Sequence, residues 1–229
     1  MSENHILRPI AYIHTDFKQK FGIPRQSGLV NELQAYIVFE PEFRRAEAVR
    51  GLEGFSHLWL IWEFSKTRVS EFRPTVRPPR LGGNTRVGVF ASRAPYRPNG
   101  LGLSCVKLTG IDLDAPEAPV LTVSGADLLD GTPIYDIKPY IPVADCHPEA
   151  SEGYTAETRT HRLRVVFPQE LLEKVPSEKR SALEGVLACD PRPGYEDAPE
   201  TVYGLSFAGM DVGFRVENGI LTVTRVENE

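Results

Sequence analysis

From Phe72 to Ile111 the chain contains no aspartate and no glutamate. The same stretch carries Arg73, Arg77, Arg80, Arg86, Arg93, Arg97 and Lys107. The formal net charge of the 229-residue chain is −5, and it would be −12 without those seven cations. An acidic chain that gathers positive charge into one acid-free segment is building a local anion site, with phosphate, carboxylate and above all nucleic acid as ligand classes. Long apolar runs are also missing. Nothing approaches the ~20 apolar residues that span a bilayer. The opening MSENHILRPIAYIH has no basic patch followed by an apolar core, so neither membrane nor secretory targeting is expected. Cysteine is sparse: Cys105, Cys146 and Cys189 are odd in number and far apart, which speaks against a disulfide framework and fits a reducing cytoplasm. The histidines show no ligand spacing, and Cys146-His147 is a weak signal alone, so no metal is expected. The chain has no P-loop, no G-x-S-x-G elbow and no H-E-x-x-H. Gly100-Leu101-Gly102 follows a loop rather than a strand and lacks the third glycine of a dinucleotide-binding fingerprint.

What is present reads as mainly β. Apolar or alternating runs at Ile6–His14, Leu33–Phe39, His57–Phe64, Val87–Ala91, Ser104–Ile111, Val120–Gly125 and Ile134–Ile141 are separated by Gly, Pro and Asp turns. Many short strands at this spacing predict a barrel or sandwich. Pro41–Arg50, rich in Ala, Glu and Arg and stopped by Gly51, predicts a helix. After about Val143 the polar DCHPEASEGYTAET reads as a linker. A strand at His161–Phe167 follows, then a helix over Ser177–Ala188 with Ser177 as N-cap. Strands Val212–Glu217 and Ile220–Val226 flank the Asn218-Gly219 hairpin turn. The expected organisation is a β-barrel domain over residues 5–146, a linker over 147–160, and a small α+β domain over 161–229.

Four segments have the composition of a site. FGIPRQSG places Arg25 and Gln26 after a rigid Pro24, although on these residues alone a plain surface loop is the better reading. Arg73–Asn84 with Arg86 holds prolines at 74, 78 and 79 and a Gly82-Gly83 pair, as either an anion loop or a structural loop clamped to the protein's own carboxylates. In SRAPYRPNGLGLS, Arg93 and Arg97 flank Tyr96, and Gly102 permits a ligand to approach the backbone. This suits a nucleobase or nucleoside, or simply a hairpin connection with one packed tyrosine. GADLLDGTPIYDIKPY offers Asp127, Asp130 and Asp136, which can bind ribose hydroxyls, meet a cation or take a proton, while Asp130-Gly131 also makes a good turn. His57, Cys105, Trp59 and Trp62 read as core or interface residues.

The ordered run FSHLWLIWEF, RPTVRPPRLGG, GVFASRAPYRPNGLGLS and DLLDGTPIYDIKPYIP resembles the TsaA-like family, and within it the bacterial TrmO branch. The likeness spans about Ile6 to Pro142, with an echo at Asp190-Pro-Arg-Pro-Gly-Tyr195. It implies a β-barrel that binds S-adenosyl-L-methionine without a Rossmann sheet, a smaller C-terminal domain, and a homodimer. It also implies a tRNA methyltransferase acting on N6 of N6-threonylcarbamoyladenosine at position 37, beside the anticodon. Carried onto this chain, the family's cofactor contacts fall on Pro24, Arg25, Gln26, Arg93, Leu101, Asp127, Leu128, Leu129 and Asp130. A further cofactor-contacting pair falls on Ser65-Lys66, which replaces the His-Gln frequent in relatives and leaves backbone contacts there, and Gly100 stands where relatives commonly have proline.

The resemblance supplies a mechanism to test. N6 of the modified adenine is conjugated to both purine and carbamoyl, so it is a poor nucleophile until its proton leaves. The expected base is a carboxylate or a water relay, with Asp130 or Asp136 as the candidate residue. Arg73, Arg77, Arg80 and Arg97 are assigned to the tRNA backbone or the threonyl carboxylate. The C-terminal domain is assigned to gripping the anticodon stem-loop, with Arg192 and Tyr195 as its RNA-binding residues that reach the active site, unless their turn serves packing alone. Two other readings share the arginine segment: a non-catalytic module that binds the cofactor and RNA, and a methyltransferase of a small metabolite.

Overall fold

The computed structural model describes residues 6–67, 71–78, 81, 85–158, 161–192 and 198–229. In chain order its strands are β1 (Ala11–His14), β2 (Gln34–Phe39), β3 (His57–Glu63), β4 (Thr75–Val76), β5 (Val87–Gly88), β6 (Leu101–Asp112), β7 (Val120–Ser124), β8 (Thr132–Pro139), β9 (Arg164–Val166), β10 (Tyr203–Phe207), β11 (Met210–Glu217) and β12 (Ile220–Asn228). Six of them close into an antiparallel barrel in the order β1-β2-β7-β6-β3-β8, with β8 pairing back onto β1. The mainly β architecture read from strand spacing is therefore the observed one.

The alternation of the sequence explains the barrel. Along β3, Leu58, Leu60 and Trp62 point inward between half-buried residues. Along β6, Gly102, Ser104 and Val106 do the same. Ala11, Ile13, Ala35, Ile37, Leu121, Val123 and Ile134 fill the rest of the interior, each large aliphatic side chain contributing about 1.5–3 kcal/mol by leaving water. Because every neighbour in the ring is antiparallel, the end of β1, start of β2, end of β3, start of β6, end of β7 and start of β8 all lie at one mouth. The connections 15–33, 64–100 and 125–131 are thereby brought together there. Two of the four site-like segments lie within these connections, Ser92–Ser104 runs from the second into β6, and Gly125–Tyr140 runs from the third through β8.

At that mouth the indole of Trp62 lies over its cross-strand partner Gly102. A Cβ on Gly102 would come within 2.3 Å of Trp62 ring atoms. The glycine expected to admit a ligand instead admits a tryptophan.

The second body is a four-stranded sheet, β10-β11-β12-β9, with β9 parallel to β12. It packs on helix α3 (Ser177–Ala188) through Leu183, Val186, Leu187, Phe207, Phe214 and Leu221. Two one-turn helices, α1 (Pro142–Asp145) and α2 (Gln169–Leu172), precede α3. The 15–33 connection belongs to this core as well: Phe17, Val30 and Leu33 are buried in it, and Gly185 makes room for Val30. Polar ties run in parallel, from Lys179 Nζ to Asp16 Oδ1 at 2.8 Å and from Arg162 Nη2 to the Leu29 carbonyl at 2.6 Å.

Several local expectations are corrected. Pro41–Arg50 is not one helix but two 3₁₀ turns, Pro41–Phe43 and Ala46–Val49. Packing of Phe43, Val49 and Leu52 against the barrel core overrides helix propensity there. Val87–Ala91 is strand only to Gly88 and then turns as a 3₁₀ segment. Pro176, not Ser177, is the N-cap of α3, and the Ser177 hydroxyl donates to Glu178 Oε2. Strands β4 and β10 and helices α1 and α2 were not read from the sequence. Among the described residues no helix is long and apolar enough to cross a membrane.

The Trp62–Gly102 contact makes a stability prediction. Gly102→Ala should destabilise the protein by about 1–3 kcal/mol through overpacking, measured as a lowered urea midpoint. Gly110→Ala, on the same strand with its nearest neighbour atom at 3.6 Å, should leave the midpoint within experimental error. Equal behaviour of the two variants would contradict the packing account.

Candidate active site

The three connections at the barrel mouth enclose a cleft of about 620 Å³. Its wall takes Pro24, Arg25 and Gln26 from the first, Ser65, Lys66 and Arg93 from the second and Asp127 and Leu129 from the third, with Leu101 from the start of β6. These residues, widely separated in sequence, are among those to which the family likeness assigned the cofactor.

Backbone hydrogen bonds fix the loops that carry them. The Gly28 N–H donates to the Gly125 carbonyl at 2.9 Å, and the Gly125 N–H to that of Leu33 at 2.9 Å. Gly125 has φ +76, and a Cβ there would sit 3.3 Å from the Gly28 backbone, so glycine is required. The Cys105 N–H, on a part of β6 beyond its pairing with β7, donates to Ser27 Oγ at 3.1 Å. Across the opening, Lys20 Nζ donates to the Lys66 carbonyl at 2.7 Å and to Thr67 Oγ1 at 2.6 Å. A lysine of the first connection thus straps down the turn that ends β3.

A buried polar chain runs into the cleft. Trp62 Nε1–H donates to Ser104 Oγ at 3.0 Å, and Ser104 Oγ–H donates to Asp127 Oδ1 at 2.6 Å. Ser104 is 1 % exposed, so this hydroxyl has no water to fall back on. Burial pushes the Asp127 carboxyl above its usual range. Hydrogen bonds from Ser104, from its own backbone N–H and from that of Ser27, with the charge of Arg93, pull it part of the way back. Beside it, Arg93 Nη1 donates to Gln26 Oε1 at 2.5 Å. A second carboxylate, Glu63, lines the cleft and accepts from the Tyr135 hydroxyl at 2.5 Å. Lys20, Trp62, Glu63 and Ser104 were not read as site residues. The signal for Ser104 was present: a hydroxyl at an inward position of a strand, between Gly102 and Val106, needs a buried partner.

Other assigned residues stand elsewhere. Leu128 is a barrel-core side chain, 1 % exposed, whose carbonyl accepts from Thr15 Oγ1 at 3.1 Å. Asp130 and Asp136, the expected bases, do not line the cleft. Asp130 Oδ1 accepts the Thr15 N–H at 3.1 Å and lies 3.4 Å from His14 Nδ1, tying the β7–β8 turn to the end of β1. Asp136 Oδ1 accepts the Ile137 N–H at 2.9 Å, and its Oδ2 pairs with Lys138 at 2.8 Å, beside the register shift between β3 and β8. Both carboxylates have structural partners away from the cleft, which argues against either as the base.

Arg73 and Arg77 are exposed on the β4–β5 ribbon. Arg97 lines the cleft, but its Nη1 donates to the Ser92 and Val89 carbonyls at 2.6 and 3.2 Å and so shapes the loop. The Arg192 guanidinium grips Asp190 through Nε and Nη2 at 2.9 and 3.0 Å. Burial would raise the Asp190 carboxyl, but the hydrogen bonds from Arg192 and His161 outweigh it and hold Asp190 below its usual range. The Arg192 carbonyl accepts from Arg25 Nη2 at 3.1 Å, so the C-terminal body reaches the rim of the cleft by its backbone. Arg80 and Tyr195 lie outside the described residues. Among the described residues no cluster of His, Cys, Asp and Glu could hold a metal ion. Burial pushes the Cys105 thiol up, with the Asp145 charge adding to it, which disfavours a nucleophilic thiolate.

The family model of the tRNA-methyltransferase O N-terminal domain matches residues 12–146, and that of the TrmO C-terminal domain matches residues 160–229. The chain belongs to the TrmO family. It is 40% identical over 226 residues to a tRNA (adenine(37)-N6)-methyltransferase of Escherichia coli, covering 95% of this chain and 96% of the relative. It is also 40% identical to a putative S-adenosylmethionine-dependent methyltransferase, RcsF, of Pseudomonas aeruginosa, over 91% of each chain. A crystal structure of TrmO from Pseudomonas aeruginosa superposes with a TM-score of 0.82 at 33% identity, covering 100% of this chain and 99% of that one.

The Trp62–Ser104–Asp127 chain predicts a distinct mutant. Ser104→Ala should cost about 1–3 kcal/mol, because it leaves the indole N–H and a carboxylate oxygen without a buried partner. Ser104→Thr, which keeps the hydroxyl, should recover much of that loss in the same urea titration. Two equally destabilised variants would point to packing rather than hydrogen bonding.

Proposed function

We propose that this protein transfers a methyl group from S-adenosyl-L-methionine to N6 of N6-threonylcarbamoyladenosine at position 37 of tRNA. The observation that carries this reading is the pairing of two features at one barrel mouth: a cleft holding a buried carboxylate among guanidiniums, and an acid-free arginine arm beside it. Membership of the TrmO family and the names of the relatives support its coarser part, S-adenosyl-L-methionine-dependent methylation of adenine 37 in tRNA.

The residues present fit the donor. The cleft lies within the roughly 300–1,000 Å³ of ordinary small-molecule sites. Ile23, Phe64 and Leu103 give it apolar wall for a purine. Asp127 offers an anion to a cationic donor, while Arg25 and Arg93 offer cations to a carboxylate. When bound, the donor supplies an electrophilic methyl on a sulfonium sulfur. The work left to the chain is to hold the incoming nitrogen in line with that methyl, and such positioning supplies about 7–11 kcal/mol of barrier reduction. Gly125, Gly28 and the Ser27 and Lys20 ties hold the loops still for it.

The N6 proton must go to a group in the cleft. Asp127 and Glu63 are the carboxylates among its described lining residues, and they take the role first assigned to Asp130 or Asp136. A carboxyl raised by burial is a stronger base than one in water. Exposed Arg73 and Arg77, with Arg86 beside them, are suited to backbone phosphates, whose binding releases counterions and weakens steeply with salt. A homodimer in the cytoplasm belongs to the same proposal, and native mass measurement tests the dimer.

Incubation with labelled S-adenosyl-L-methionine should label tRNA from cells lacking this protein, whose N6 still carries its proton, and not tRNA that also lacks the threonylcarbamoyl group. Transfer to both would refute the proposed substrate, and no transfer to either would refute the enzyme. In single-turnover reactions Asp130→Ala and Asp136→Ala should stay near the wild-type rate, whereas Asp127→Asn or Glu63→Gln should lose at least tenfold.

Donor affinity should also report the charge on Asp127. Its anion binds the cationic donor, so affinity should fall as acidification protonates it. Ser104→Ala removes a hydrogen bond that lowers the Asp127 pKa, so the midpoint of that fall should move to higher pH. Calorimetric titrations showing the same midpoint in both proteins would argue against Asp127 as the counter-ion.

A further inference from the structure

We infer that Phe72 and Phe90 form a stacking platform for the bases of single-stranded RNA at the entrance of the cleft, an inference that rests on the tRNA reading above. Phe72 is 58% exposed and Phe90 73% exposed, yet the two rings stack on each other, with centroids 6.4 Å apart and planes inclined by 27°. They stand at the same end of the β4–β5 ribbon, one before β4 and one after β5. The ladder pairs Thr75 with Gly88 and Val76 with Val87. The Val89 N–H closes it on the Pro74 carbonyl at 2.9 Å. The bonds from Ser92 Oγ and Arg97 Nη1 to the Val89 carbonyl hold the residue next to Phe90 in place. The rings are therefore presented by a braced scaffold.

Their surroundings select the occupant. Phe72 has Glu71 on one side and Arg73 on the other, Arg77 and Arg86 lie along the ribbon, and no further acid occurs from Phe72 to Ile111. A second copy of this chain seated on the same face across a two-fold axis would bring like charges together, which is costly. Nucleic acid matches both features: phosphates for the guanidiniums, and flat bases for the aromatic faces, which accept any base sequence. Phe90 lies two residues from Ser92 and three from Arg93, both in the cleft wall. An adenine that enters the cleft leaves its loop neighbours unstacked. Rings at the entrance replace the lost stacking and hold the loop while the target base is inside.

The test uses an anticodon stem-loop RNA carrying the threonylcarbamoyl group at position 37, with 2-aminopurine at the neighbouring position. Phe72→Ala and Phe90→Ala should each weaken binding about 5- to 100-fold, the range expected for one stacked base, and should abolish the fluorescence quenching seen with the wild type. Phe90→Trp should retain both affinity and quenching, whereas Phe90→Leu, which keeps an apolar side chain without a π face, should lose the quenching. Donor affinity and native mass should stay at wild-type values in every variant. The inference is overturned if the Phe72→Ala/Phe90→Ala double variant binds the stem-loop within twofold of wild type. It is also overturned if the wild type does not bind the stem-loop, or if the variants change native mass, which would make this face a contact between copies. These binding measurements need no methyl transfer. A wild type that binds and stacks without methylating would defeat the proposed activity and leave the platform standing. One that methylates with undiminished affinity in the double variant would do the reverse.

Discussion

The hydrogen-bonded closure of β8 onto β1 is the constraint from which the rest follows. An open sheet would let its connections spread along two edges. A closed antiparallel ring of six strands forces alternate connections to one end, and here the three at that end are the site-bearing ones. Pro24, Arg93 and Asp127 lie far apart in the chain and meet because the ring leaves them no other place. The inside of the ring finishes the job. Its apolar filling ends at the mouth in Trp62 and Ser104, and the hydroxyl hands the polarity on to Asp127.

Much of this was legible in the sequence, for a physical reason. Strands with one buried face alternate, and β2, β3 and β7 were visible as apolar or alternating runs between turn residues. The helix α3 was legible from its composition. What the sequence hid was decided by tertiary contacts. Pro41–Arg50 has helical composition but must lay Phe43 and Val49 against the barrel, so it breaks into short turns. Strand β10 is five residues long and contains Gly204, which weakens its local signal.

The site divides in the same way. Arg25, Gln26, Arg93, Leu101 and Asp127 were singled out by motif and do share a cleft. Asp130, carried by the same motif as well as by its residue type, and Asp136, by residue type, are turned by geometry to a backbone N–H and a neighbouring lysine. Residue type shows what a side chain can do, and only its surroundings show whether it is free to do it. Ser104 is the converse case: an ordinary residue type made important by the carboxylate it holds.

The hydrogen bond from Arg25 to the Arg192 carbonyl has a thermodynamic consequence. Arg25 belongs to the loop that walls the cleft, and Arg192 to a turn whose guanidinium is locked onto Asp190. A ligand whose affinity depends on the position of either segment shifts the balance of the other, and linkage requires the effect to be equal in both directions. Occupancy of the small cleft and engagement of the C-terminal body are in this way one equilibrium read at two addresses.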